Sequence, residues 1–474
     1  MNKKTIIIAV VAVVLLVGIV AGISLLGGGG GNSVLKNEFV IPEGGYDGSA
    51  VTITFSHTMG ASLRAVLDAY IEEFNKIYPN ITIEHVQTGG YDDVRDDILT
   101  KLGVGNQPNI AYCYPDHVAR YNTAKAVVTL DDLIASQITV TRADGTTESL
   151  GLTQEQKDDF IEGYYNEGTA FGDGKMYTLP FSKSTEVLYY NKTFFDQHGL
   201  KVPTTWDEME AVCAQIKAID PTSIPLGYDS ESNWFITMCE QYGSPYTSAT
   251  GDHYLFNNDT NKNFIKRFRD WYQKGYVTTQ EIYGAYTSGL FTATTDTRAY
   301  MCIGSSAGAS HQIPAKDSSG KYPFEVGIAT VPQVDPANPK VISQGPSVCI
   351  FKNANPQEVV ASWLFVKFLT TSTDFQAEFG SASGYVPVLK SVKDHPVYAK
   401  NMAAANGYDK LTYLSAKVCL DQADAYYVSP AFNGSSDARD AVGILMQAAL
   451  TQDDQGNLNS FIDKVFADAV KSCR

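Results

Sequence analysis

Leu179-Pro-Phe-Ser-Lys-Ser-Thr-Glu-Val-Leu-Tyr-Tyr-Asn191 decides how this chain is organised. A mostly apolar extended segment stops at a Pro-Phe-Ser turn, resumes as a β-run from Glu186 to Tyr190, and enters a helix near Thr193. Proline and a cluster of hydroxyls joining two such runs suit a backbone that crosses between lobes and turns Ser and Thr toward a cleft. The chain has 474 residues, too many for one hydrophobic core, so at least two lobes are expected.

Upstream of the crossover the pattern is regular. Val51-Thr-Ile-Thr-Phe55 alternates as a half-buried strand does. Leu63, Val66, Leu67, Tyr70, Ile71, Phe74 and Ile77 follow at three- and four-residue steps on one helical face. Ile81–Val86 reads as a strand, Asp92–Leu102 as a helix and Ile110–Tyr114 as a strand. Strand and helix in alternation imply a parallel α/β sheet. The polar stretch Thr139–Gly151 reads as a surface loop.

Downstream, Pro203-Thr-Thr-Trp-Asp-Glu208 opens a helix in which Thr205 caps and Glu208 bonds back. Trp206, on the inner face of that helix, is read as core. Further strands are predicted over Arg298–Ile303, Phe324–Thr330 and Ser347–Phe351, and a helix over Glu358–Leu369.

Composition narrows the function. Apolar residues make up 44 % and charged residues 19 %, an ordinary globular balance, and the formal charge of −16 disfavours nucleic acid as a partner. Thr5–Leu26 carries no charged side chain and follows Lys3 and Lys4. At about 1.5 Å per residue it is long enough for a hydrocarbon core of roughly 30 Å. It is read as a membrane anchor with the rest of the chain outside the cytoplasm, a cleaved signal segment being the alternative. Residues 27–49, rich in glycine, are expected to form a flexible tether. The seven cysteines are widely spaced without Cys-x-x-Cys pairs; buried free thiols are expected, with one disulfide left open and no zinc site.

Markers along the chain resemble those of extracellular solute-binding proteins (family 1) of ABC importers, of the sugar and glycerol-3-phosphate-binding type. They are Ser56-His57-Thr58-Met59, Gly90-Tyr91-Asp92, Gly105-Asn-Gln-Pro-Asn109, the crossover, Pro203-Thr-Thr-Trp206, Gly345 and Gly384-Tyr-Val-Pro387, in that order. The resemblance implies a two-lobe α/β periplasmic-binding-protein fold with an interlobe cleft. Lobe one would take residues 50–180 and 304–345, and lobe two residues 181–303 and 346–474. It also implies a membrane-tethered monomer that captures a small polyhydroxylated solute, a sugar or polyol phosphate, for ABC permease subunits, without chemistry, cofactor or metal.

By the same resemblance the solute-binding residues are Tyr91, Asp116, Ser184, Trp234, Ser305, Ser306, Gly345, Tyr385 and Arg439. Tyr91, Trp234 and Tyr385 would cover the C–H faces of a sugar and Asp116 would accept its hydroxyl protons. Arg439 offers a fork for phosphate or, alternatively, pairs with Asp437 or Asp440. Ser305 and Ser306, where a strand meets a helix start, offer backbone N–H groups or serve as an ordinary cap. Tyr114-Pro115-Asp116 departs from the Tyr-Glu of the glycerol-3-phosphate subgroup, which leaves the solute open. Two other functions fit parts of the sequence. Gly304-Ser-Ser-Ala-Gly308 matches the GxSxG of serine esterases at Ser306, but no His-Gly-Gly run precedes it and His395 lies in an unpromising Asp-His-Pro loop. A ligand-sensing ectodomain would use the same cleft as a transporter component.

Overall fold

The computed structural model describes residues 37–295, 297–403 and 411–474. The expected anchor, Thr5–Leu26, lies outside these; among the described residues no helix is long and apolar enough to cross a membrane.

Among the described residues fourteen strands form, in chain order: β1 (Val51–His57), β2 (Ile81–Gln87), β3 (Ile110–Cys113), β4 (Thr139–Thr141), β5 (Thr147–Ser149), β6 (Leu179–Pro180), β7 (Glu186–Asn191), β8 (Leu226–Tyr228), β9 (Val277–Thr279), β10 (Met301–Ser305), β11 (Val326–Thr330), β12 (Val341–Ile342), β13 (Ser347–Ile350) and β14 (Tyr426–Tyr427). Ten of them build two five-stranded sheets, ordered β2-β1-β3-β13-β6 and β11-β7-β10-β8-β9, and the other four form the pairs β4-β5 and β12-β14.

In the first sheet β1 runs parallel to β2, with Val51 opposite Ile81, and to β3, with Phe55 opposite Ile110. Parallel neighbours need a crossover, and the helix Ala61–Ile77 supplies it, burying Leu67 and Phe74. Phe74 meets Phe365 and Phe368 at ring-centroid distances of 5.1 and 5.4 Å. Those belong to the helix Pro356–Thr370, which starts at an Asn355 cap with proline in its first turn. That helix is buried nearly all round, as a helix inside a core must be. In the second sheet β7 is antiparallel to β10 and β11, while β8 runs parallel to β10 and β9. Its lobe is filled by Trp206, Trp234, Phe268 and Trp271. The capping box of Thr205 and Glu208 forms as the sequence predicts.

Strand pairing corrects the expected division of the chain. β11 lies in the second sheet against β7, and β13 lies in the first between β3 and β6, so 304–345 does not join lobe one and 346–474 is not all in lobe two. The chain crosses between sheets near 180–186, returns near 342–347, and passes to the second lobe again before Ser435–Thr451, which packs on Glu231–Gln241 and Asp259–Gln273. Two local readings are also corrected. Thr139–Gly151 contains the hairpin β4–β5, turned at Asp144-Gly145 with Gly145 at φ +83°, and Val140 is buried. The described end of the tether is part of the fold: Tyr46 is buried against Tyr78, and Gln357 bonds both Asp47 and Gly45. The cysteines are free thiols, six of them buried.

Candidate functional site

The two crossover strands are tied to each other before they reach the cleft. Ser184 and Gln344 exchange backbone bonds of 2.9 and 2.8 Å, and Lys183 does the same with Val386. Gly345 has φ +86°, and a Cβ there would sit 2.5 Å from the Ser182 carbonyl oxygen, so only glycine lets the strands meet. Beneath them Lys183, wholly buried, places its Nζ 2.5 Å from Glu167 Oε1 and bonds Ser347 Oγ and the Gly345 carbonyl. Ser343 and Ser347 donate to the same Glu167 carboxylate.

Above this hinge lies a cleft of about 500 Å³. The helix Tyr91–Leu102 brings Tyr91, Asp92 and Arg95 to it, and Pro115–Tyr121 brings Asp116 and His117. From the other lobe come Tyr246, Tyr286 and, on the helix Ser435–Thr451, Ser436, Arg439 and Asp440. Glu167 and Gln344 complete the floor on the hinge side. Asp116 accepts a 2.7 Å hydrogen bond from Ser436, a contact that spans the cleft. Burial alone would raise the Asp116 carboxyl; the charges of His117 and Arg439 and the Ser436 bond outweigh it and hold it below the usual range. Burial pushes the His117 imidazole down.

Three of the expected residues, Tyr91, Asp116 and Arg439, line this cavity. Tyr385 stands directly behind, its hydroxyl 3.0 Å from that of Tyr91. Arg439 does not take the surface ion pair that was the alternative. Its guanidinium donates to Asn233 Oδ1, Asn233 donates to Glu186 at 2.9 Å, and Tyr228 donates to the other Glu186 oxygen at 2.6 Å. Burial raises Glu186 to about 7.

The other expected residues do not line the cavity. Trp234 is wholly buried, stacked on Tyr228 at 4.8 Å and packed on Phe268, because its position on Glu231–Gln241 faces the lobe core. Ser184 and Gly345 are hinge backbone, both beside the lining residue Gln344. Ser306 is fully buried, its N–H bonding the Thr185 carbonyl and its Oγ accepting from the Thr185 N–H. Ser305 Oγ accepts from the Ala307 N–H, an ordinary cap. The backbone donors expected to hold an anion are therefore occupied, and Ser306 lacks the exposed Oγ of a nucleophile elbow. Glu167, His117, Tyr246 and Tyr286 line the cleft without having been singled out. His117 directly follows Asp116, the one cue the sequence held.

Two α/β lobes hinged by crossover strands around a polar and aromatic cleft define a solute-binding protein. Comparison with known proteins agrees. The chain belongs to the bacterial extracellular solute-binding protein family, whose model matches residues 69–406. It is 24 % identical over 381 residues to the sn-glycerol-3-phosphate-binding periplasmic protein UgpB of Escherichia coli K12, covering 75 % of this chain and 79 % of that one. Among solved structures, UgpB from Mycobacterium tuberculosis in complex with glycerophosphocholine superposes with TM-score 0.68 at 17 % identity, covering 90 % of this chain and 98 % of that one. A Listeria monocytogenes ABC substrate-binding protein in complex with cycloalternan gives TM-score 0.68 at 14 % identity, with the same coverage of both chains. The fold and family are those of non-catalytic, extracytoplasmic solute-binding proteins, and the esterase alternative is set aside.

Proposed function

We propose that this protein is the substrate-binding component of an ABC importer, capturing a small polyhydroxylated solute, carbohydrate in the broad sense, between its lobes. The observation that carries this reading is the composition of the cleft. Five carboxylates (Asp92, Asp93, Asp116, Glu167 and Asp440) face two guanidiniums there, beside the rings of Tyr91, Tyr114, Tyr246 and Tyr286. Carboxylates accept hydroxyl protons and aromatic faces cover C–H surfaces, which together suit a sugar. One guanidinium, Arg95, is already paired with Asp92 and Asp96 at 2.8 Å. Closing of the lobes about the crossovers would present the solute to permease subunits. An N-terminal anchor would keep the receptor beside them.

A second reading has one observation in its favour. Arg439 is a cleft guanidinium without an ion pair among the described residues, and a phosphate would supply one. The relatives named for glycerol-3-phosphate and glycerophosphocholine support that version. Calorimetry on the purified protein with neutral oligosaccharides, glycerol 3-phosphate and glycerophosphocholine separates the two. Arg439→Ala should abolish binding of a phosphorylated solute and change a neutral sugar's affinity little. Tyr91→Ala should weaken either by at least about tenfold, the scale of a lost aromatic contact; intact binding in that variant would refute the site.

A further inference from the structure

Two residues that line the cleft each carry a buried polar atom with no hydrogen-bond partner among the described residues: His117 Nδ1 and Tyr246 Oη. Both side chains are more than nine-tenths buried, at 2 and 5 % exposure, and both line the cavity. Native proteins seldom leave such groups unpaired unless something else pairs them. The two come from opposite lobes, His117 from Pro115–Tyr121 and Tyr246 from the loop that follows Glu231–Gln241. Asp116, next to His117 in the chain, meets Ser436 on the helix of Arg439 across the gap, and the charges of Asp116 and Arg439 act on both His117 and Tyr246, so the corner concerned is the one built around Asp116 and Arg439.

We infer that this corner is a second solute subsite, in which His117 Nδ1 and Tyr246 Oη hydrogen-bond hydroxyl groups of an unphosphorylated, hydroxyl-rich ligand. The assignment deepens the proposed function and rests on it. The His117 tautomer is assigned from the carboxylate nearest its Nε2. Nε2 faces Asp92 Oδ1 at 3.8 Å, which favours the proton on that nitrogen and leaves Nδ1 as an acceptor. The Tyr246 ring packs edge-on or tilted against Phe235 and Phe256, which leaves its hydroxyl, at the cavity wall, as the group without a partner among the described residues. Asp116 and Asp440 add further acceptors beside them. A corner so rich in acceptors suits hydroxyl donors. A phosphate there would face Asp116, Asp440 and Asp92 with Arg439 already bonded to Asn233.

The test is calorimetry of the full chain with neutral di- and trisaccharides, glycerol 3-phosphate and glycerophosphocholine, on the parent and on Tyr246→Phe, His117→Leu, His117→Asn and Tyr91→Ala. Removing one ligand hydrogen bond should weaken the best neutral ligand by about five- to fifteenfold in Tyr246→Phe and in His117→Leu. His117→Asn, which keeps an acceptor, should recover part of that loss. The melting temperature of unliganded Tyr246→Phe should be no lower than the parent's, since its hydroxyl bonds nothing among the described residues. Binding within twofold of the parent in both Tyr246→Phe and His117→Leu would overturn the subsite, while loss in Tyr91→Ala would leave the proposed function standing. A parent that prefers a phosphorylated compound to every neutral sugar also overturns the subsite, and one that binds no compound removes both readings.

Discussion

Lys183→Met should be among the most damaging single substitutions in this protein. The Lys183 side chain is wholly buried and that of Glu167 is 2 % exposed, with nitrogen and oxygen 2.5 Å apart. By contrast, Lys464 and Asp468 form a pair of the same length at 74 and 60 % exposure. An exposed pair of that kind contributes about 0–1 kcal/mol. Removing one partner of a buried pair instead leaves a charge out of water, at a cost of roughly 3–5 kcal/mol. The Ser343 and Ser347 hydroxyls still solvate Glu167 in the variant, which argues for the lower half of that range. Set against a total stability of about 5–15 kcal/mol, this is a large fraction. Urea titration followed by circular dichroism measures it, and Lys183→Met/Glu167→Gln supplies the control, because no unpaired charge remains. The double variant should be more stable than Lys183→Met, with a coupling energy of about 2 kcal/mol. A single-variant loss under about 1 kcal/mol, or losses that simply add, would refute the argument that the hinge is held by a desolvated charge pair.

The buried acid behind Arg439 should make stability depend on pH. Glu186 is raised by burial from 4.5 to about 7, so the folded state binds its proton more tightly than the unfolded chain. Its contribution is fully present below about 4.5 and is lost as pH rises through about 7, a change of roughly 3 kcal/mol that Glu186→Gln should flatten in denaturation series across that window. Trp234→Ala should cost about 3–5 kcal/mol as a core cavity. Trp234→Phe, which keeps a ring on Tyr228, should hold ligand affinity within about twofold; a larger selective loss by calorimetry would return Trp234 to the binding site.

What was legible in the sequence follows how local each signal is. The capping box at Thr205 and Glu208, the stripe of Ala61–Ile77 and the alternation of β1 involve neighbours a few residues apart, and the periodicity reports them directly. Sheet membership is different. β11 and β13 read correctly as strands, but their pairing with β7 and β3 joins residues more than a hundred positions apart, which no local pattern encodes. The hairpin β4–β5 is hard to read because its strands, Thr-Val-Thr and Thr-Glu-Ser, are three residues long and share a single apolar side chain; Asp144-Gly145 is the available cue. The burial of Trp234 is hard to read for a related reason: a large aromatic suits a sugar and a core equally, and the helix rotation of Glu231–Gln241 is what turns it to the core.

The crossover itself shows how a correct fold reading can carry a wrong site reading. Its polar residues suggested a surface turned to the cleft, yet Ser182, Lys183, Ser184, Thr185 and Glu186 are all at most 3 % exposed. Their bonds stay within the protein: Thr185 to the Ile342 carbonyl at 2.6 Å and Lys183 to Glu167 and Ser347 at the hinge, and Glu186 to Tyr228 and Asn233 inside the second lobe. Polar groups inside a joint must be satisfied there, because each one left unpaired costs free energy in every state the joint passes through. A hinge that spends its charges on itself leaves recognition to the helix starts at Tyr91 and Pro115 on one side of the gap and at Ser435 on the other. Asp116 and Ser436 already meet there at 2.7 Å, so a solute entering between the lobes has to compete with, or be framed by, a bond that the protein makes with itself. Affinity is then set by the difference between those two sets of hydrogen bonds, and single-atom changes such as the Tyr246 hydroxyl become the sharpest way to measure it.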